Sequence, residues 1–412
     1  MKALRRTSER GQALIVIVFA IIGLIGMAAL VVDGGNAYVQ TRRAQTAADA
    51  AALGGALARI KGEDWVAATY AIAEQHGFPR DGATTGVAVN SPPVGGPFAG
   101  DVEYIQVIIG AHTRTYLAPV VGVREIRTSV EAVARTKSSE IKQILDGSAV
   151  ISLAKTSDCA SNKAFWVHSE ATLSVRGGDV FINSNNKECA LIEQGSGGIR
   201  IIGGEVVIVG GARIQKPQLI TPFPPVTGAV SISYPPPFFM PNVGCSQPAE
   251  ISFDGTSMSP GDWEEDFPPA GVKALEPGKY CIVGDFIIGD GKSLEGKNVT
   301  FVVDEGRVRW SGHATINLEA PRTGPLAGML LFVPPDNHKI VALNMDRLSG
   351  VKGTILAPGA EIRLNGSMSS TGFHSQIIGY RIEVDGTSNI EVTYVDDQNW
   401  DAITMPEIEL AQ

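Results

Sequence analysis

The sequence predicts an N-terminal transmembrane helix with a small α+β module, followed by an all-β region built as a right-handed β-solenoid; a β-sandwich is the alternative for that last region. Three observations predict this. Ala13 to Val32 is an unbroken run of twenty uncharged, mostly apolar residues, long enough to cross a bilayer as one helix. The segment after it is rich in alanine and free of proline, and from residue 138 short β-like strings recur between Gly, Asn and Ser.

The span (13–32) follows a basic flank (1–12) carrying Lys2, Arg5, Arg6 and Arg10. Positive charge on that side fixes it in the cytoplasm. The expected location is the cytoplasmic membrane, single-pass, N-terminus inside, with the bulk of the chain extracytoplasmic or at the cell surface. A cleaved secretory signal has a shorter apolar stretch and ends at a small-x-small site, so the longer run favours an uncleaved anchor. Within it, Ala20, Gly23 and Gly26 place small residues three apart, a stripe that permits close helix packing.

Residues 33–60 hold eight alanines between Ala44 and Ala58. Alanine is the best helix former, so the membrane helix is expected to continue outward beyond a kink at Gly34-Gly35 as a rod of about 70 Å. Residues 61–137 read as the α+β module. Its helix, EDWVAATYAIAEQH, lies between Gly62 and Gly77 with Val66, Tyr70 and Ala73 on one face. Strands are expected at Gly86–Val89, Tyr104–Ile109 and Ile126–Ala134, with the apolar stretch Tyr116–Val121 between the last two.

In residues 138–395, strand starts fall eight to ten residues apart, so three strands fill one coil and the runs at 171 and 199, and at 180 and 206, lie one coil apart. Stacked coils would bury a shared core. Strands at similar spacing also occur in sandwiches. A Pro-rich interruption at 216–241 cannot donate to a continuous ladder and reads as a surface loop or linker. The triplet Leu364-Asn365-Gly366 suits a tight turn, and 396–412 reads as an acidic tail.

A formal charge of −9 gives no basic stripe for nucleic acid. Cys159, Cys189, Cys245 and Cys281 all follow the span, in the compartment where disulfides persist. Three pairings are open; Cys159–Cys189 with Cys245–Cys281 closes the shortest loops. No C-x-x-C or His-x-x-x-His spacing supports a metal site.

Candidate chemistry is sparse. GDGKS (289–293) ends like a P-loop, but Phe286 stands where the first glycine is required. The carboxylates Asp254, Asp262, Glu264, Glu265 and Asp266 fit no EF-hand spacing. Six histidines are dispersed, and any Ser-His-Asp arrangement would have to be assembled by the fold. Trp166, Trp263, Trp310 and Trp400, with Phe238-Phe239, could offer a carbohydrate-stacking surface, although such rings usually pack in the core.

Residues 10–56 resemble the N-terminal domain of TadE/TadG-like proteins of the Tad, or Flp-type, pilus assembly system. The resemblance rests on Arg10-Gly11 before the span, Val32-Asp33-Gly34 at its end, Tyr38, and the block Arg43-x-Gln45-x-Ala-Ala-Asp49-Ala-Ala-Ala-Leu53. Residues 85–135 are similar to the module that follows in such proteins. RGGDVFINSN (176–185), LEPGKYCI (275–282) and GTILAPGAEIRLNGSMSSTG (353–372) resemble a Gly/Asn-rich right-handed β-helix domain that accompanies such anchors. Members processed as pilins are cut after a glycine, which would place the cut between Gly11 and Gln12; they carry Glu five residues later, where this chain has Val16. Some members carry a von Willebrand A metal site, but Asp146-Gly147-Ser148-Ala149-Val150 lacks its second Ser.

The resemblance implies a membrane-anchored, non-enzymatic component of a Tad/Flp-type pilus or cell-surface assembly displaying the solenoid, without a cofactor. Its partners would be the bilayer and other pilus or envelope proteins. An anchored adhesin binding a surface glycan or polymer is the second reading, and a polysaccharide-degrading β-helix enzyme the third.

Overall fold

The computed structural model describes residues 10–80, 85–241, 243–245, 247–311, 313–344, 350–366 and 370–411. Most of the basic flank, including Lys2, Arg5 and Arg6, lies outside them. The chain divides into two compact units: Met1–Glu140 with Met405–Gln412, and Ile141–Thr404.

The first unit is built on helix α1 (Arg10–Ile60), which runs unbroken through Gly34-Gly35. At 1.5 Å per residue it is about 76 Å long. Its second half buries Ala44, Ala47, Ala48, Ala51, Ala52 and Ala56 against Ile105, Val107, Ile109, Ala132 and Ala134. Those residues belong to an antiparallel sheet of β1 (Thr85–Asn90), β2 (Tyr104–Arg114), β3 (Glu125–Lys137) and the strand Glu407–Ala411, in that order. Alternation along β2 turns Ile105, Val107 and Ile109 to one face, and the alanine stripe lets the helix backbone lie close to it. The alanines therefore do more than keep a linker helical.

Helix α2 (Trp65–Gln75) starts at Asp64, whose carboxylate accepts the Ala67 N–H. Its buried face is Thr69 and Ala73, while Val66 is exposed. The face is rotated from the expected Val66–Tyr70–Ala73 stripe because α2 meets α1 at Gly54-Gly55. A Cβ at Gly54 would lie 2.0 Å from Ile72 Cδ1, and one at Gly55 2.1 Å from Thr69 Oγ1.

The second unit is β-rich, with a ten-stranded and a sixteen-stranded sheet in which every strand pairing among the described residues is parallel. Leu173 pairs with Ile199 and Val180 with Val206, which joins the same runs that the sequence spacing sets one coil apart. Elsewhere the interval is shorter, as where Ser257 meets Ala274, or longer, as where Asn317 meets Gly350, because loops between strands differ in length. One apolar column passes through Val206, Val180, Val150, Ile377, Ile355, Leu331, Phe301 and Tyr280.

Chain order reverses inside that column. Val150, near the start of the unit, pairs with Ile377, near its end, and Leu173 likewise pairs with Ile390. The chain thus enters mid-ladder, builds outward to one end, crosses to the other end and builds back to the seam.

The crossing is the Pro-rich segment, but its first residues are ladder strands: Ile220–Thr221 pairs with Ile199-Arg200, and Val226–Thr227 with Val207-Ile208. These strands end their sheets, where a missing proline N–H leaves no partner wanting. Further along, Asn183 holds the crossing by donating to Ile232 O and accepting from Ile232 N–H.

One further segment differs from expectation, and the acidic tail carries strands. Leu364-Asn365-Gly366 ends the strand Thr354–Gly366 rather than turning; a Cβ at Gly366 would meet Ser388 O at 2.8 Å, so close approach explains the glycine. The acidic tail is structured: Asp401–Ile403 pairs antiparallel with Ile141–Gln143 in the second unit, and Glu407–Ala411 joins β3 in the first.

Gly55→Val should destabilise the first unit by about 1–3 kcal/mol through overpacking against Thr69. Gly34→Ala, which meets nothing within 4 Å, should be neutral or slightly stabilising. Thermal unfolding of the full chain in detergent compares the two.

Candidate functional site

Thirteen large apolar side chains between Leu14 and Val32 are exposed, and this part of α1 is long and apolar enough to cross a membrane. Ala20 and Gly23 are exposed and Gly26 is half-buried; a Cβ at either glycine would meet nothing within 4 Å. The stripe is open along the helix. Gly11 and Gln12 lie in the first turns of α1.

The apolar run ends at Asp33, which is only 2% exposed. Its carboxylate accepts the backbone N–H groups of Tyr116, Leu117 and Ala118 at 2.7–2.9 Å. These N–H groups open the 3₁₀ turn Ala118–Val121, and an N-terminal turn favours negative charge. Burial pushes the Asp33 carboxyl up, but the three N–H donors outweigh it and hold it below the usual range. Farther along, Gln45 donates to Asp49 Oδ1 and to Glu131 O of β3. Two polar residues thus tie the helix to the sheet.

The second unit contains the disulfides Cys159–Cys189 and Cys245–Cys281. Asp262 lies beside the second one, but its sulfurs are spent on each other. The first disulfide fastens the segment before Phe165 to the segment before Leu191, where the strands that follow pair with each other.

Trp166, Trp263 and Trp310 form no common surface, and Trp400 is buried edge-on against Phe238. Trp310 is 1% exposed in an aromatic core with Phe286. Trp263 is half-buried against the core and donates to Asp266 O. Trp166 faces outward in line with Glu383, Arg363 and Ala342, but Lys163 covers its ring at 2.9 Å and His168 stacks on it at 3.6 Å.

Around Trp166 the fold gathers residues the sequence kept far apart. A polar cleft of about 160 Å³ is lined by Lys163, Trp166, Glu361, Arg363, Arg381 and Glu383. His168 Nε2 lies 2.9 Å from Glu383, and Ser169 Oγ lies 3.1 Å from His168 Nδ1. This is a Ser-His-carboxylate grouping, but the hydroxyl donates to Asp385 instead, so the imidazole is not its proton acceptor. Burial pushes Asp385 up, yet the hydrogen bonds from Ser169 and Gly386 and the charges of His168 and Arg363 keep it below its usual range. No sequence signal could have found the grouping, because the pairing of Phe165–Val167 with Ile382–Val384 creates it.

The other motifs are structural. Gly291 takes φ +71 in a turn before Ser293–Lys297, so GDGKS is a loop corner. The acidic residues divide: Asp254 accepts from the Ser252 hydroxyl and Thr256 N–H, while Asp266 accepts the Asp285 N–H.

A helix bare and apolar over one half, and packed into a folded unit over the other, defines an anchor with a built-in base. Residues 11–58, nearly the whole of that helix, match the Tad family model, Flp pilus-assembly TadE/G-like. The chain is therefore TadE/G-like over this N-terminal segment, and the match does not extend into the β-rich remainder. Comparison with curated proteins and with solved structures finds no match.

Asp33→Asn should speed amide exchange at Tyr116, Leu117 and Ala118 at neutral pH. Because the folded carboxyl lies below its usual range, its stabilisation is complete above the unfolded pKa of about 3.9 and is lost as pH falls through the lower folded value. Parent and variant should converge only in that acid range; equal exchange at pH 7 would show that the carboxylate does not hold the turn.

Removing Cys159–Cys189 by paired serine substitution reopens a loop spanning 30 residues and should cost about 3–4 kcal/mol on loop-entropy grounds. Denaturant unfolding of parent and variant, both unreduced, measures it.

Proposed function

We propose that this protein is a membrane-anchored, non-enzymatic component of a Tad/Flp-type pilus or cell-surface assembly. The observation that carries the reading is that the family match falls on a helix whose apolar half stands bare. On this reading the basic flank stays in the cytoplasm and both folded units lie on the far side of the membrane. Two disulfides among four cysteines suit that compartment.

We further read the second unit as a β-solenoid. Parallel, in-register pairing between successive turns of chain, with apolar side chains stacked in columns, supports it; a sandwich of antiparallel hairpins would pair otherwise. The solenoid is the displayed surface, and other pilus or envelope proteins are the partners. The open Ala20–Gly23–Gly26 stripe gives a partner helix a place to pack.

The covered ring of Trp166 and the buried ring of Trp310 give the adhesin reading little support.

The test uses the native host. A photo-crosslinker at Gly23 should capture a pilus or envelope membrane protein, protease added to spheroplasts should remove both folded units, and deletion of the gene should abolish surface filaments. Full filaments after deletion would reject the assembly role, and protease resistance of folded units that are cleaved after lysis would reject the orientation.

A further inference from the structure

We infer that the tip of the β2–β3 hairpin, residues 115–123, is a second membrane contact that seats the first unit on the lipid interface beside α1. The inference rests on the reading of Ala13–Val32 as the membrane span. Asp33 is the first residue beyond that run, and its carboxylate binds Tyr116, Leu117 and Ala118 directly. The tip is thereby fixed at the level where the apolar part of the helix ends.

At that level the tip turns apolar side chains outward. Tyr116 is 75% exposed, Val120 62% and Val123 45%, with Pro119 exposed between them. Contiguous exposed apolar residues mark a contact surface. Here they continue the apolar surface of the helix itself.

The backbone of the tip is equipped for a water-poor setting. Thr115 N–H donates to Arg124 O, Val120 N–H to Leu117 O, Gly122 N–H to Pro119 O and Val123 N–H to Ala118 O. The Thr115 hydroxyl donates to Val123 O. With Asp33 serving the next three N–H groups and proline having none, donors that would be costly to leave open near hydrocarbon are satisfied.

Charge at the edges fits the same occupant. Arg114 and Arg124 flank the tip, both exposed, and neither forms an ion pair among the described residues. On α1, Tyr38 lies about 8 Å beyond Asp33, and Arg42 and Arg43 about 14–15 Å beyond, at 1.5 Å rise per residue. Tyr38, Arg42 and Arg43 line an open hollow. An aromatic near the interface with arginines above it matches the headgroup layer, where phosphates supply the negative charge. The occupant is the headgroup–acyl boundary of the bilayer.

The experiment uses the full chain in vesicles of phosphatidylethanolamine and phosphatidylglycerol. All four native cysteines are in disulfides, so Val120→Cys, Leu24→Cys and Val94→Cys each add a single thiol for an environment-sensitive fluorophore. Val94 is exposed in the loop between β1 and β2, at the opposite end of β2 from the tip.

The label at 120 should emit to the blue and lose most of its fluorescence to lipids spin-labelled near the headgroup, that at 24 to lipids labelled deep in the chain, and that at 94 to neither. If 24 is quenched while 120 behaves like 94, the inference is overturned and the anchor stands. A blue shift at 120 without lipid quenching places the tip against protein and overturns it too. No quenching at 24 removes the anchor reading, and the inference falls with it.

Discussion

The carboxylate of Asp33 joins the apolar part of this chain to its folded part. A charged group at the end of an apolar run would ordinarily be left to water; here it is buried and satisfied by three backbone N–H groups from a distant hairpin. Helix and hairpin cannot slide past one another without breaking those bonds. The same helix presents its alanine stripe to the sheet and Gly54-Gly55 to α2. The apolar helix is thereby held as a fixed part of the first unit.

The second unit solves a different problem, that of a ladder with two ends and a chain that enters in its middle. Outer strands pair with near neighbours in sequence, whereas the seam joins the first strands of the unit to nearly the last. The Pro-rich crossing makes this possible. It ends one edge with strands too short to recruit another chain, and Asn183 and the Cys245–Cys281 bond hold its path.

Much of this was legible in the sequence, and what was not has identifiable causes. The apolar helix, the strand strings and the pairing of the runs at 171 and 199 follow from local pattern, because pattern directly reports which side of an element is apolar. The buried face of α2 was misplaced at Val66 because glycines on another helix, not hydrophobicity within α2, decide which side can approach. The tail at 396–412 reads only as acidic, since its carboxylates hide the alternation in Glu407–Ala411 that lets it close a sheet. The bonds of Asp33, the Trp166 cleft and the seam all join segments remote from one another along the chain, which no window of sequence contains.

The reversed order of the ladder also dictates when the protein can finish folding. Neither unit is complete until residues 377–411 have been made: the seam needs Ile377, and the fourth strand of the first sheet needs Glu407–Ala411. Pairings at such separation form slowly. Early strands can pair as they appear, but they must keep one edge open until the closing strands arrive. A cell making this chain therefore has an exposed, aggregation-prone edge to shelter until synthesis is nearly over.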